Sequence, residues 1–84
     1  MKYYIMLVLL TNRVKEAIDV QKVLTEFGSL IKTRLGLHET ENNVYSDRGL
    51  LILQLVGDER EHQKMKEKLG SIEGVKVNYI AMNG

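Results

Sequence analysis

Cysteine is absent from the 84 residues, which excludes disulfides, thiolate metal sites and cysteine nucleophiles together. Charge of one sign is not in excess either. Lys+Arg number 12 against 11 Asp+Glu, a net charge of +1, without the basic surplus of a dedicated nucleic-acid binder. Long apolar runs are lacking: the opening Met1 to Leu10 falls well short of the ~20 residues that span a bilayer. Thr11-Asn12-Arg13-Val14-Lys15-Glu16 follows it without the small-residue cleavage site of a signal peptide. A cytoplasmic chain with no membrane contact is expected. No P-loop, dinucleotide fingerprint, HExxH, GxSxG or EF-hand loop is found, so neither an enzyme nor a cofactor is expected. At this length residues 1–84 form one domain, able to bury only ~60–65% of the unfolded surface. An association partner is expected to supply further burial.

What is there is organised around Leu24 to His38, where a helical pattern ends at Gly28 and an alternating strand begins at once. A glycine after Phe27 suits a helix C-cap with positive φ. Phe27-Gly28-Ser29-Leu30 returns as Leu69-Gly70-Ser71-Ile72, so the chain reads as two similar halves. Lys2 to Leu10 and Leu50 to Val56 are apolar at nearly all alternating positions, as strands covered on both faces are. Asn12 is a good N-cap for a first helix whose apolar side is drawn through Val14, Ala17, Ile18, Gln21, Leu24 and Phe27 and widened by Val20 and Val23. In the next strand Ile31, Thr33, Leu35 and Leu37 alternate with Lys32, Arg34, Gly36 and His38, a half-polar pattern that suits an edge. Glu39 to Gly49 is polar and reads as a loop. Asp58 with Glu61 resembles a capping box before a second helix carrying Met65 and Leu69. Val75, Val77, Tyr79 and Ala81 form one side of the last strand.

The order β-α-β-β-α-β predicts an α+β, ferredoxin-like domain: a four-stranded antiparallel sheet with two helices on one face. That topology places the first and third strands at the centre, which agrees with their apolar character on both faces.

The candidate chemistry is sparse. Asn12-Arg13 at a helix start could present an amide and a guanidinium to an anion; the alternative is that Asn12 only caps the helix and Arg13 is solvated. His38 and His62 are the only histidines, and two ligands cannot close a metal site unless subunits pool them with Glu39, Glu41 or Glu61. No metal site is therefore assigned. Lys32, Arg34, His38 and Lys76 form either a basic stripe or the usual protection of edge strands. Tyr3 and Tyr4 invite comparison with RNA-binding sheets, but Leu50 to Val56 carries no aromatic residue to stack a base.

The stretch Leu24 to Leu37, with its glycines at Gly28 and Gly36 and arginine at Arg34, resembles the iron-only hydrogenase system regulator family. So does Lys68 to Val77 with Gly70 and Gly74. Thr33 and His38 stand where that family often has glycine and proline. The resemblance implies a stand-alone ACT-like domain, akin in fold to the C-terminal domain of nickel-responsive regulators, that binds an effector; homo-oligomers, at least dimers, are expected because two helices on one face leave the other apolar face of the central strands bare. It points to Asn12, Arg13, Arg34, Gly36 and His38 as ligand-binding candidates. With no DNA-binding segment apparent in the sequence, the expected partners are further copies of the chain, a small-molecule effector and a separate regulatory protein. The alternatives are a purely structural interaction domain or a metal sensor.

Overall fold

The two segments that are apolar on both faces occupy the centre of the sheet. The elements are β1 (Lys2–Leu10), α1 (Arg13–Glu26), β2 (Ile31–Glu41), β3 (Val44–Leu55), α2 (Glu59–Gly70) and β4 (Val75–Asn83), with a short 3-10 turn at Gly28–Leu30. The computed structural model describes the backbone of residues 1–41 and 44–84 and the side chains of residues 1–37 and 47–84. Strand order is β2-β3-β1-β4 and every pairing is antiparallel, the predicted ferredoxin-like arrangement.

Alternation sends Met6, Val8 and Leu10 of β1, Leu53 and Leu55 of β3 and Val75 of β4 toward the helices, where Val20, Leu24, Phe27, Met65 and Leu69 close the core over them. None of the described helices lies on the other face of the sheet. Across it, Leu37 stands opposite Leu50 and Leu50 opposite Leu9; Leu35 stands opposite Ile52 and Ile52 opposite Leu7; Ile5 stands opposite Ile80 and Tyr3 opposite Met82. Leu35 and Ile80 are each 51% exposed there.

Four local features differ from the sequence-based reading. Gly28 does not have positive φ; among the described glycines that conformation belongs to Gly57 (φ 91) and Gly74 (φ 85). The end of α1 is closed instead by the 3-10 turn, in which Leu30 N–H donates to the Phe27 carbonyl at 3.0 Å. The repeat itself is real: Ile72 N–H donates to the Leu69 carbonyl at 3.2 Å in the second half, so both joints make the same bond. The inward side of α1 is Glu16, Val20 and Leu24, whereas Val14 and Ile18 are 77% and 70% exposed. The cause is Glu16, whose carboxyl is drawn under the helix start, where it accepts from Asn12 N–H at 2.9 Å. That contact makes 16, 20 and 24 the buried row.

The segment from Glu39 to Gly49 is not a loop over most of its length. β2 continues to Glu41 and β3 starts at Val44, with Thr40 opposite Tyr45 and Glu41 opposite Val44; only 42 and 43, within the expected loop, lie outside the described residues. β1 pairs with β3 no further than Gly49, so this polar ribbon is two-stranded and carries no apolar period by which to recognise it. Finally, a register shift between Ile31 and Thr33 turns Ile31 to the core side, leaving Thr33, Leu35 and Leu37 on the open face.

Candidate functional site

Two of the places that gather polar side chains involve residues singled out by sequence. The first is a groove of about 710 Å³ between α1 and the β2 side of the sheet. Arg34 and Gly36 lie opposite Leu53 and Leu51, hence on the helix side of the sheet, and the bare Gly36 leaves a gap beside α1. Leu10, Leu51, Gly36 and Gly49 line the groove from the strands; Ala17, Ile18 and Gln21 line it from α1. Arg34 Nη2 donates to Gln21 Oε1 at 2.9 Å, which fixes the guanidinium against the helix. Arg13 lies over Gly49, where a Cβ would come within 3.2 Å of its Cδ. Its buried Nε has no hydrogen-bond partner among the described residues.

Of the residues singled out by sequence, the structure therefore brings Arg13, Arg34 and Gly36 to one groove. Asn12 caps α1, its Oδ1 accepting from Lys15 N–H at 3.3 Å, and does not line the groove. His38 pairs with Gly49 in the next register position along β2, and its side chain lies outside the described residues. Gln21 and Gly49 were not anticipated. A glycine inside a strand often marks a close approach, and that was the available signal for Gly49.

The second place is the contact of α2 with β1 and β4. His62 is fully buried, with Nε2 at 2.8 Å from the Val56 carbonyl and Nδ1 at 2.7 Å from the Tyr79 hydroxyl. A carbonyl only accepts, so Nε2 carries a proton, and in the neutral ring Tyr79 donates to Nδ1. Both ring nitrogens are thus engaged. His62, a candidate ligand only for a site pooled between subunits, is buried here and completes the α2 stripe with Met65 and Leu69. Among the described residues no group of three histidine or acidic side chains could hold a metal ion. Tyr4 packs edge-on to His62 at 4.8 Å. Burial, then its hydrogen bond to Glu59, raises the Tyr4 hydroxyl, while that bond and Lys2 lower Glu59.

Burial, with Glu59 and Tyr4 nearby, pushes Tyr79 up to about 12 from an ordinary 10.0. The fold thus favours the neutral hydroxyl. Its contribution is complete below pH 10.0 and is lost as pH rises through about 12. Tyr79→Phe is expected to lower stability at pH 7 by about 1–3 kcal/mol, because Nδ1 of His62 loses its donor while buried. The variant should also lose part of the wild-type decline above pH 10, leaving the share due to Tyr4. Urea unfolding at pH 7 and pH 11 checks both, and equal losses at the two values would contradict the assignment.

With the geometry in place, comparison with known proteins supplies the family. The sequence model of TM1266-like proteins, described as "Iron-only hydrogenase system regulator, putative", matches residues 2–79. The chain belongs to this family. The description is that of a regulator, not of an enzyme. The uncharacterized protein TM1266 from Thermotoga maritima is 27% identical over 99% of this chain and 100% of its own, with a TM-score of 0.84. The fold alone is shared with CPII, a nitrogen regulatory PII-like protein from Thiomonas intermedia K12 bound to ADP, AMP and bicarbonate. That likeness has 15% identity and a TM-score of 0.56, over 100% of this chain and 96% of that one. A dimeric ferredoxin-like protein from an uncultured marine organism is 10% identical with a TM-score of 0.52, over 96% of this chain and 92% of that one. None of the curated proteins matches the chain. Among the described residues no helix is long and apolar enough to cross a membrane.

Proposed function

We propose that the chain is a cytoplasmic, homo-oligomeric regulatory module that holds a small effector in the groove between α1 and β2 and passes its state to a separate regulatory protein. The observation that carries this reading is the open sheet face. Leu37, Leu50 and Leu9 form one apolar row across three strands and Leu35, Ile52 and Leu7 a second, the pairs Ile5–Ile80 and Tyr3–Met82 carry the patch onto β4, and none of the described elements covers it. A contiguous apolar patch on a sheet face marks an interaction surface. A two-fold pair, or a tetramer built from such pairs, closes the patch without leaving a growing end. The regulator description of the family supports the same reading. Because no helix-turn-helix is present among the described elements, its effect is expected to run through a protein partner rather than direct nucleic-acid contact.

Analytical ultracentrifugation at micromolar concentration tests the proposal. Dimers or larger species are expected, and a well-behaved monomer of 9.6 kDa would overturn it. A second reading, an interaction domain with no small ligand, is favoured by the exposed Val14 and Ile18 on α1, which a partner protein could cover. Thermal shift against amino acids, nucleotides and divalent metals separates the two, since a specific ligand raises the midpoint by mass action.

A further inference from the structure

We infer that the groove between α1 and β2 takes a small organic anion with a flat apolar body. This rests on the reading of the groove as the effector site and adds the chemistry of the occupant. Three cations, Arg13, Lys22 and Arg34, line the groove, and among the described residues no carboxylate does. Neither Arg13 nor Arg34 has an ion-pair partner among the described residues. The field inside therefore favours negative charge and disfavours a cation.

The two arginines are also prepared for such a group. Gln21 holds Arg34 through a neutral hydrogen bond, which orients the guanidinium fork while leaving its charge uncompensated. Arg13 is pressed onto Gly49 with Nε buried and unpartnered among the described residues. Packing explains where its stem lies; it does not explain a buried donor without an acceptor, a condition that folds normally avoid. An anionic oxygen entering the groove would supply one.

The apolar body follows from the remaining lining. A Cβ on Gly36 would meet Leu51 at 3.5 Å, an ordinary contact, so packing does not demand a glycine there. What the glycine provides is open space over the backbone beside Leu51, where a ring can lie flat. Ile18 on α1, 70% exposed, offers the facing apolar surface. The volume of about 710 Å³ is that of small-molecule sites.

The test uses 8-anilinonaphthalene-1-sulfonate and its uncharged counterpart N-phenyl-1-naphthylamine, which share an aromatic body and differ in the anionic group. By fluorescence titration the sulfonate is expected to bind about tenfold more tightly than the amine, through charge-assisted bonds to arginine. Arg34→Gln and Arg13→Gln should each weaken the sulfonate about tenfold and leave the amine unchanged, whereas Gly36→Leu should weaken both. Arg34 is exposed, so its variant keeps the fold. Equal affinity for the two probes, or sulfonate binding that survives both arginine changes, would overturn the inference. Loss of sulfonate binding in Ile80→Ser would place the probe on the open sheet face and overturn it as well. Sedimentation of the same samples reports separately on the homo-oligomer: a monomer that discriminates the probes refutes the assembly and leaves the anion site standing.

Discussion

Gly74→Ala is expected to cost about 2–5 kcal/mol, the largest loss from a single added methyl group in this chain. Gly74 has φ +85, a conformation in which an L side chain carries a penalty of about 1–2 kcal/mol. The added Cβ would also fall on the carboxyl oxygen Oε2 of Glu16 and within 2.9 Å of Thr11 Oγ1. Neither neighbour can yield cheaply. Glu16 is 3% exposed and accepts the Asn12 N–H that opens α1, and Thr11 Oγ1 donates to the Gly74 carbonyl at 2.7 Å. Displacing them leaves a buried polar group unsatisfied, about 1–3 kcal/mol more. Domains of this size have only about 0.05–0.15 kcal/mol of stability per residue, so the melting temperature should fall by about 10 °C or more. Gly28→Ala is the control. Nothing lies within 4 Å of its Cβ position and its φ is not positive, so a change within about 0.5 kcal/mol is expected. Thermal unfolding of the two variants side by side checks this, and equal midpoints would refute the account.

The same glutamate shows where the sequence stops being readable. Strand order was legible because Lys2 to Leu10 and Leu50 to Val56 are apolar at nearly all positions of both faces, and only central strands need to be. The caps at Asn12 and Asp58 were legible because side-chain capping is a local bond, made here to Lys15 N–H and Arg60 N–H. The buried side of α1 was not. Apolar periodicity assigns Val14 and Ile18 to the core, and a glutamate reads as exposed until Gly74 and Asn12 are known to surround it. His62 hid in the same way, although its spacing to Met65 and Leu69 fits the inward row of α2. Glu61 makes no capping box with Asp58; its carboxylate instead accepts from Lys64 at 2.9 Å.

The candidate groove was legible in its parts only. Arg13 follows from the helix start and Arg34 with Gly36 from the strand after the joint. That the two arginines share a groove depends on β2 lying beside β3 and on the register shift after Ile31, which is a tertiary fact. Gln21 was assigned to the apolar side of α1, yet its amide holds Arg34.

Ile52→Lys is expected to convert the proposed homo-oligomer to monomer over the micromolar range. Ile52 sits mid-sheet on the open face, with Leu7 opposite it on one side and Leu35 on the other. Burying such a side chain is worth about 1.5–3 kcal/mol. In a two-fold interface each change is made twice, so roughly 3–6 kcal/mol is lost, or about 10²–10⁴ in the dissociation constant. Two lysines brought together across the axis would add repulsion and the cost of desolvating unpaired charge. The fold should persist, because the helix-side core of Met6, Leu53, Leu55, Met65 and Leu69 is untouched and a lysine on an uncovered face can keep its charge in water. Sedimentation velocity with far-ultraviolet circular dichroism distinguishes the outcomes. A folded monomer supports assembly through this face. An unchanged oligomer places the interface elsewhere on the molecule, the exposed Val14 and Ile18 of α1 being the next surface to vary.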